Sequence, residues 1–363
     1  MAKVKLGDVA FEYKQAYKGD KTGVPHVGLE HLIPGDVKLL RWDIDPDNTF
    51  TKGFAKGQVL LGRRRAYLRK AVVAPFDGIC SGDITVIEAV RTKMDTNLLP
   101  FIIQNERFFD YATRGSAGSL SPRVKWAYLR NYEFDLPPLE EQERLAALLW
   151  AAYDLKESYK KLIAATDEMV KAHFVEMFGN PITNTKKWDT LAIKNVAPES
   201  PCNDRINGIA WILNLDMIES HSGKIIEKIY DDSSHFLSVQ PFDDGNVLFS
   251  KLRPYLNKVV IPDEKGYATT ELVPLRPNQE KLNKTFFSCL LRSDEFIKYA
   301  NKIATGTRMP RMPLAELRNF ECMLPPISMQ NKFEQIVNQA DKSKQELQQS
   351  MAKIDRVIKS LLP

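Results

Sequence analysis

Heptad spacing of apolar residues marks two long segments of this 363-residue chain. Each follows a Leu-Pro-Pro triplet, and the first, Leu139–Phe178, contains no proline or glycine. Residues 327–362 have the same texture. Because residues seven apart lie on one face of a helix, the two segments predict long helices with coiled-coil seams. The predicted seam residues are Leu145, Leu148, Ala152, Leu155, Tyr159 and Leu162 in the first helix and Phe333, Ile336, Ala340, Leu347, Ile354 and Val357 in the second.

Two seams in one chain most simply pair with each other. If the first helix leads away from its domain and the second returns from a domain at the far end, the pair is antiparallel about a pseudo-twofold axis. Helices of about 36 to 40 residues would form a rod about 55 Å long. The alternative is that each helix only docks a partner or another copy. Small side chains such as Ala152 and Ala340 weaken the seam, which predicts limited stability without partner subunits.

The segments outside these helices have a different pattern. Short runs of β-branched and aromatic residues, broken by Gly, Pro and Asp, predict short strands and turns. These runs include Gly57–Leu61, Ala71–Ala74, Ile84–Ala89 and Pro100–Ile103. Helical spacing recurs in parts of Asn97–Tyr111 and of Lys284–Ile303. The predicted fold class is therefore mixed α/β (α+β), with mixed sheets and short helices.

The chain repeats itself at an offset of 188 residues. The aligned pairs include Tyr111 with Tyr299, Gly118 with Gly306, Arg123 with Arg311, and Gln142 with Gln330, and both Leu-Pro-Pro triplets fall in the same register. A period this long predicts two domains with their own cores rather than a solenoid. The predicted boundaries are two α/β units at residues 1–136 and 180–324, each followed by a long helix at 137–179 and 325–363.

Composition is that of a folded, water-soluble protein, with 44% hydrophobic and 27% charged residues. We find no apolar run long enough to span a bilayer and no secretory signal, so the expected compartment is the cytoplasm. The formal net charge of +5 permits nucleic-acid binding without establishing it. Cys80, Cys202, Cys289 and Cys322 are widely scattered, which predicts neither a disulfide framework nor a zinc site.

Catalytic motifs are missing from the sequence. We find no P-loop, no dinucleotide-binding glycine motif, no GxSxG elbow and no Asn/Asp-Pro-Pro-aromatic tetrapeptide of amino-methyltransferases. The run Pro262-Asp263-Glu264-Lys265 resembles a nuclease fragment, but the aligned run in the first half, residues 75–78, has no second carboxylate and no lysine. We interpret it as a turn. The chain is predicted to have no enzymatic activity, no metal site and no cofactor of its own.

Two kinds of segment predict binding to DNA instead. The cation segment spans Gly62–Lys70 and, in the second half, Ser250–Lys258, with cations around a tyrosine. Arginine forks grip phosphates or read guanine, and tyrosine stacks beside them. The competing interpretation is a solvated charged surface. The predicted DNA contacts here are Arg63, Arg64, Arg65, Tyr67, Arg69 and Lys70, and in the second half Lys251, Arg253, Tyr255 and Lys258.

The glycine segment is the second candidate, spanning Arg114–Arg123 and, in the second half, Ala304–Arg311. Glycines and hydroxyl residues let backbone N–H groups approach an anion, and the flanking arginines add charge. A structural turn after the preceding helix is the alternative. The predicted contacts are Arg114, Ser116, Ser119 and Arg123, and in the second half Thr307, Arg308 and Arg311.

Taken in order, these segments resemble the specificity subunit of type I restriction–modification systems. The resemblance covers nearly the whole chain and includes both Leu-Pro-Pro helix starts, the two binding segments of the first half, Gly78–Asp83 and Glu176–Pro181. It implies two target-recognition domains, each reading one half of a split sequence in double-stranded DNA, separated by the paired helices. Because the binding segments differ between the halves, we expect a gapped, asymmetric site.

The resemblance also implies partners. Two methyltransferase subunits would dock on the chain and supply S-adenosylmethionine chemistry on adenine, and restriction and translocation subunits would bring ATP and Mg²⁺. Two alternatives stay open: a specificity protein of a related system whose nuclease and methyltransferase are fused, and a coiled-coil scaffold that presents two protein-binding domains. If the chain is a specificity protein of either kind, alanine at Arg63, Arg64 and Arg65 should weaken DNA binding and flatten its salt dependence. If it is a protein-binding scaffold, DNA binding should not change.

Overall fold

The computed structural model describes residues 2–200, 208–232 and 238–362, so Cys202 lies outside the described residues. The chain divides into two compact units, which we call the first unit (Met1–Lys160 with Gln348–Pro363) and the second unit (Lys161–Leu347). Each long helix therefore contributes residues to both units.

The first unit contains two sheets and a strand pair. Its strands are β1 (Ala2–Lys5), β2 (Ala10–Glu12), β3 (His26–Val27), β4 (Lys52–Phe54), β5 (Val59–Gly62), β6 (Ala71–Val73), β7 (Gly78–Cys80), β8 (Ile84–Ala89) and β9 (Glu133–Leu136). Its short helices are α1 (Leu6–Val9), α2 (Leu99–Gln104), α3 (Glu106–Arg114) and α4 (Trp126–Leu129). One sheet has the order β2-β8-β5-β6, the other β3-β7-β4, and β1 pairs antiparallel with β9.

The second unit repeats this plan. Its strands are β10 (Thr190–Ala192), β11 (Ile209–Leu213), β12 (Ile229–Asp232), β13 (Val239–Phe242), β14 (Val247–Ser250), β15 (Val259–Val260), β16 (Gly266–Thr269), β17 (Leu272–Leu275) and β18 (Glu321–Met323). Its short helices are α6 (Ile193–Val196), α7 (Lys284–Arg292), α8 (Asp294–Ile303) and α9 (Leu314–Asn319). The order β11-β16-β13 corresponds to β3-β7-β4, and β15-β14-β17 corresponds to β6-β5-β8. The extra edge strand is β2 in the first unit and β12 in the second.

One predicted strand is wrong. Pro100–Ile103 lies in α2, where Pro100 occupies the first turn of the helix and its missing N–H costs nothing. The predicted helical segments are each divided into two helices by a capping residue. The Asn105 side chain accepts from the N–H of Arg107 at the start of α3, and Ser293 accepts from the N–H of Phe296 at the start of α8.

The two long helices are α5 (Leu139–Phe178) and α10 (Ile327–Leu361). In the second unit, the carboxylate of Asp167 lies 2.7 Å from the amine of Lys344. Seven residues further along α5, Phe174 meets Phe333, which precedes Lys344 in α10; the ring centroids are 5.6 Å apart. From the first contact to the second, residue numbers increase along α5 and decrease along α10. The two helices therefore run antiparallel, as predicted. In the first unit, Lys156 of α5 pairs with Asp355 of α10.

The heptad prediction places two sets of residues in the seam, and the structure departs from it at the set that contains Leu148, Leu155 and Leu162. Phe333 and Ala340 are buried, whereas Leu148, Leu155 and Leu162 are exposed. Leu149 is fully buried instead, within the core of the first unit. The physical reason is that adjacent apolar residues offer two neighbouring helix faces, and the α/β core competes with the other helix for one of them. Of the other predicted seam residues, Val357 is exposed, and Leu145, Ala152, Tyr159, Ile336, Leu347 and Ile354 are half-buried.

A buried glutamine fastens each long helix to its unit. The side-chain amide of Gln142 donates to the carbonyl oxygens of Pro137 and Lys93, and its oxygen accepts from the N–H of Asp95. Gln330 does the same with Pro325, Lys281 and Asn283. The Leu-Pro-Pro…Gln repeat is therefore explained by structure: it fixes where each helix begins.

Candidate nucleic-acid interface

Each cation segment is built around a single 3₁₀ turn. In the first unit the turn is Ala66–Leu68, and the residues on either side, Arg65 and Arg69, have φ angles of 54° and 52°. In the second unit the turn is Pro254–Leu256, between Arg253 at 49° and Asn257 at 48°. Left-handed backbone is costly for residues other than glycine. Its recurrence at the same repeat positions shows that both units hold this turn in one conformation.

The glycine segments are short closed loops. Ala117 and Arg123 exchange backbone hydrogen bonds of 3.1 and 2.9 Å, and Thr305 and Arg311 exchange bonds of 2.9 and 2.8 Å. Gly118 and Gly306 lie just inside the closure with φ of 116° and 103°, a conformation that favours glycine. The predicted structural turn is thus present in both units, and its tip is left exposed.

Backbone hydrogen bonds join the two segments, which are far apart in the sequence. In the first unit the N–H of Arg65 donates to the carbonyl of Pro122 at 2.7 Å, and the N–H of Val124 donates to the carbonyl of Arg63 at 2.9 Å. The second unit contains the same pair of bonds: Arg253 to Pro310 at 2.7 Å and Met312 to Lys251 at 2.9 Å. In each unit the cation and glycine segments therefore form one continuous surface, which we call the paired-loop surface.

A buttressing ion pair holds each glycine segment. Nε of Arg123 lies 2.6 Å from Oδ1 of Asp83, and its Nη2 lies 3.1 Å from Oδ2. Arg311 makes the same two-pronged contact with Glu271, with its Nη2 2.8 Å from Oε1. The hydrogen bond from Arg123 holds the pKa of Asp83 below its usual value. Because both forks are occupied, we assign Arg123 and Arg311 to positioning the loop rather than to reading DNA.

Other predicted cations also have partners inside the protein. The amine of Lys70 donates to the carbonyl of Leu29 at 2.7 Å, and Lys258 donates to that of Leu215 at 2.6 Å. These two lysines tie the cation segment to a neighbouring loop at equivalent positions of the two units.

Arg64 and Arg69 also have partners inside the protein, and the equivalent positions of the second unit, Leu252 and Asn257, are not cationic. Arg69 pairs with Glu106 and Asp110 at 3.0 and 3.3 Å. Nη2 of Arg64 donates to the Ser121 hydroxyl at 2.9 Å. Ser116 likewise donates to a backbone carbonyl, that of Ala112, at 2.9 Å, so its hydroxyl is also engaged.

The remaining predicted residues have no partner inside the described part of the protein, and Nε of Arg63 and of Arg253 is buried. Within the described residues, the side chains of the following set have no hydrogen-bond or ion-pair partner: Arg63, Arg65, Tyr67, Arg114 and Ser119 in the first unit, and Lys251, Arg253, Tyr255, Thr307 and Arg308 in the second. Tyr67 is 53% exposed and Tyr255 is 44% exposed, each on a 3₁₀ turn. Each paired-loop surface therefore presents unpaired cations beside one exposed aromatic ring. That combination suits phosphates and base edges.

Two acidic residues that were not among the predicted DNA contacts belong to these surfaces. Asp83 and Glu271 buttress the arginines of the glycine segments, and they stand 188 residues apart. An acidic residue at the same position of both copies was the available signal. No periodicity connects it to an arginine 40 residues later, so the contact itself was not predictable.

Known proteins resemble this chain in sequence and in fold. No protein-family profile matches the chain. The specificity subunit of the type I restriction enzyme EcoDI from Escherichia coli is 26% identical over 134 residues, which cover 36% of this chain and 30% of that subunit. The MjaVIII specificity subunit from Methanocaldococcus jannaschii is 23% identical over 364 residues, covering 90% of this chain and 78% of that subunit.

Solved structures share the fold. A chain from a type I restriction–modification system superposes with a TM-score of 0.60 at 19% identity, covering 99% of this chain and 96% of that chain. The S subunit of a type I system from M. genitalium gives a TM-score of 0.55 at 13% identity, covering 100% of this chain and 96% of that subunit. The predicted mixed α/β class with paired long helices is confirmed.

The predicted resemblance is confirmed as well, because the curated relatives are type I specificity subunits. Those subunits are non-catalytic, in agreement with the predicted lack of enzymatic activity. Within the part of the chain that the structure describes, no helix has both the length and the apolar character to cross a membrane.

Proposed function

We propose that this chain, whose relatives are specificity subunits, recognises DNA for a type I restriction–modification complex and reads a gapped, asymmetric site. The observation that carries the proposal is the paired-loop surface, which occurs once in each unit with the same backbone frame. A frame built twice in one chain fits a ligand that presents two separate stretches of similar shape. Double-stranded DNA has this property, because its grooves repeat every turn.

The chemistry of the surface supports the same ligand. Arg65 and Arg253 occupy equivalent positions, each held by backbone bonds and each without a carboxylate partner in the described part of the chain. A guanidinium without an internal partner can pair with the O6 and N7 atoms of guanine, or with phosphate. The neighbouring tyrosine ring, Tyr67 or Tyr255, adds a flat apolar face with a hydroxyl. Rigid presentation lowers the entropy lost on binding.

The two half-sites should differ in sequence. Among the side chains without an internal partner, the first unit has Arg63 where the second has Lys251. Arginine donates through a planar fork and lysine binds as a point charge, so this position cannot present the same pattern to DNA. An asymmetric target follows from an asymmetric pair of surfaces on a common frame.

The rest of the chain is assigned by the same proposal. Residues 1–136 and 180–324 are the two target-recognition domains, and the helical segments 137–179 and 325–363 are the spacer. Leu148 and Leu155, exposed on the part of α5 in the first unit, supply apolar surface for docking of methyltransferase subunits, and Leu162 supplies such surface in the second unit. Those subunits would bind S-adenosylmethionine, and restriction and translocation subunits with ATP would complete the complex. A cytoplasmic location follows from this role.

DNA binding by single-arginine variants tests the proposal. Arg65→Ala and Arg253→Ala should each weaken binding of the full chain to its selected duplex about tenfold, and a lost phosphate contact should reduce the salt slope by about one. Arg91→Ala is the matched control, because Arg91 is exposed. It follows the C-terminal end of β8, whereas Asp83 precedes the N-terminal end of that strand. If all three variants bind like the unmodified chain, the paired-loop surface is not the DNA interface. That result would favour the protein-binding scaffold.

A further inference from the structure

The tips of the two glycine segments differ in chemistry at one aligned position. Leu120 is 89% exposed, the highest exposure among the large hydrophobic side chains of the described residues. Its counterpart at the 188-residue offset is Arg308, which is also exposed. Neither side chain has a hydrogen-bond or ion-pair partner within the described part of the chain. One position of a repeated loop is therefore apolar in the first unit and cationic in the second.

The frame that carries these tips is the same in both units. Each tip lies two residues after a left-handed glycine, Gly118 or Gly306. Each is followed two residues later by a proline, Pro122 or Pro310, whose carbonyl accepts the N–H of the cation segment at 2.7 Å. Leu120 and Arg308 therefore occupy equivalent places beside the unpaired arginines Arg65 and Arg253.

Leu120 buries little apolar surface in the free protein. A leucine that stays in water in the free protein gains no hydrophobic stabilisation there, and this gain becomes available only when a partner covers it. The neighbouring tip residue, Ser119, is polar and exposed. An apolar side chain on a surface with unpaired arginines suits a ligand whose surface is polar apart from a small apolar group. In the major groove of DNA the C5-methyl of thymine is such a group.

Arg308 fits a different base. A guanidinium without an internal partner donates two parallel hydrogen bonds to guanine O6 and N7. We infer that Leu120 and Arg308 are specificity-determining residues, Leu120 contacting a thymine methyl group in one half-site and Arg308 reading a guanine in the other. This inference rests on the proposed function and adds to it which residue of each loop chooses the base.

Base analogues test each contact in the full chain. A duplex selected by the chain from a randomised library is remade with deoxyuridine replacing each thymine of one half-site in turn. At one position, loss of the methyl group should weaken binding about fourfold. In the other half-site, 7-deazaguanine lacks N7 and should weaken binding about tenfold at one guanine. Both substitutions leave Watson–Crick pairing intact.

Variants connect each analogue to its residue. Leu120→Ala should bind thymine and deoxyuridine duplexes equally while still discriminating guanine from 7-deazaguanine, and Arg308→Ala should show the reverse. Leu120→Arg should shift the preferred base at the first position from thymine to guanine. Leu40→Ala is the control, because Leu40 is 53% exposed in the first unit and lies outside the paired-loop surface. Both substituted positions are exposed, so folding should be preserved and is checked by circular dichroism.

The outcomes separate the inference from the proposed function. If the unmodified chain selects a gapped site but Leu120→Ala keeps the full preference for thymine over deoxyuridine, the role of Leu120 is overturned and DNA recognition stands. Retained sensitivity to 7-deazaguanine in Arg308→Ala overturns the second assignment in the same way. If the unmodified chain selects no sequence at all, the proposed function itself fails.

Discussion

The two units of this chain agree in their frames and disagree at their tips. Both hold the cation segment between left-handed residues and fasten the glycine segment with a two-pronged ion pair, Asp83 with Arg123 and Glu271 with Arg311. The exposed tip is Leu120 in one unit and Arg308 in the other. The ion-paired frame recurs, as do the unpaired pairs Arg65 with Arg253 and Tyr67 with Tyr255, whereas the exposed tip position differs between the units. A duplicated reader can acquire two targets in this way without changing its fold.

The long helices show a second contrast between the units. In the second unit the helix contact is aromatic, with Phe333 fully buried between Phe174 and Phe178 at centroid distances of 5.6 and 5.4 Å. The counterpart of Phe333 in the first unit is Leu145, which is half-buried. The same position therefore contributes a different amount of buried apolar surface to each unit.

The largest expected loss of stability comes from truncating the helix contact of the second unit. Phe333→Ala should destabilise the second unit by about 3–5 kcal/mol, because it leaves a cavity among aromatic rings. Leu145→Ala should cost the first unit about 1 kcal/mol, since part of that side chain is already in water. Hydrogen–deuterium exchange, resolved by peptide, measures each unit separately. Equal losses in the two units would contradict the contrast.

The next effect should be equal in the two units. Gln142→Ala and Gln330→Ala each leave two carbonyl groups and one N–H group without partners, which should cost about 1–3 kcal/mol. The amides of Asp95 and Asn283 should lose exchange protection in the respective variants. A large loss in only one unit would show that the two glutamine contacts are not equivalent. Gln349→Ala, on the exposed surface of α10, provides a reference for substitution without burial.

The smallest expected effect concerns acid. Hydrogen bonding to Arg123 lowers the pKa of Asp83 from the ordinary value of 3.8, so the pair contributes stability above that value and loses it as the pH falls through the lowered pKa. Because Arg123 is partly exposed, the contribution near neutral pH should be about 1 kcal/mol or less. Asp83→Asn should therefore be less stable than the unmodified chain at pH 6, and this difference should shrink on acidification.

Urea unfolding between pH 2 and 6 measures this difference. The exposed residue Asp135 on β9 supplies the control variant Asp135→Asn, which removes a carboxylate of the same unit away from the glycine segment. A difference between Asp83→Asn and the unmodified chain that stays constant with pH would show that the ion pair does not stabilise the glycine segment.

The sequence predicted the helices well and their seam only in part. Proline before Leu139 and glycine after Phe178 are strong local signals, so the bounds of α5 agree with the prediction. The seam was harder because Leu148 and Leu149 are adjacent and both apolar. Heptad counting cannot decide which of them faces the other helix when an α/β core also packs against it. That choice depends on tertiary contacts.

The candidate interface was predictable as two separate segments and not as one surface. The cations and glycines of each segment are visible in the sequence, but the bonds that join Arg65 to Pro122 and Arg253 to Pro310 leave no periodic pattern. For the same reason the sequence did not separate the engaged arginines from the unpaired ones. Arg123 and Arg65 look alike until the position of Asp83 is known.

Selection from a randomised duplex library tests the central claim most directly, namely that each unit reads its own half of the target. The full chain is purified from its host with the proteins that accompany it, and the selection is repeated with Arg65→Ala and Arg253→Ala. We expect the unmodified chain to select two different sequence blocks separated by an unconstrained gap, and each variant to lose the preference in one block only. A single continuous palindrome, or equal loss in both blocks from either variant, would contradict the account.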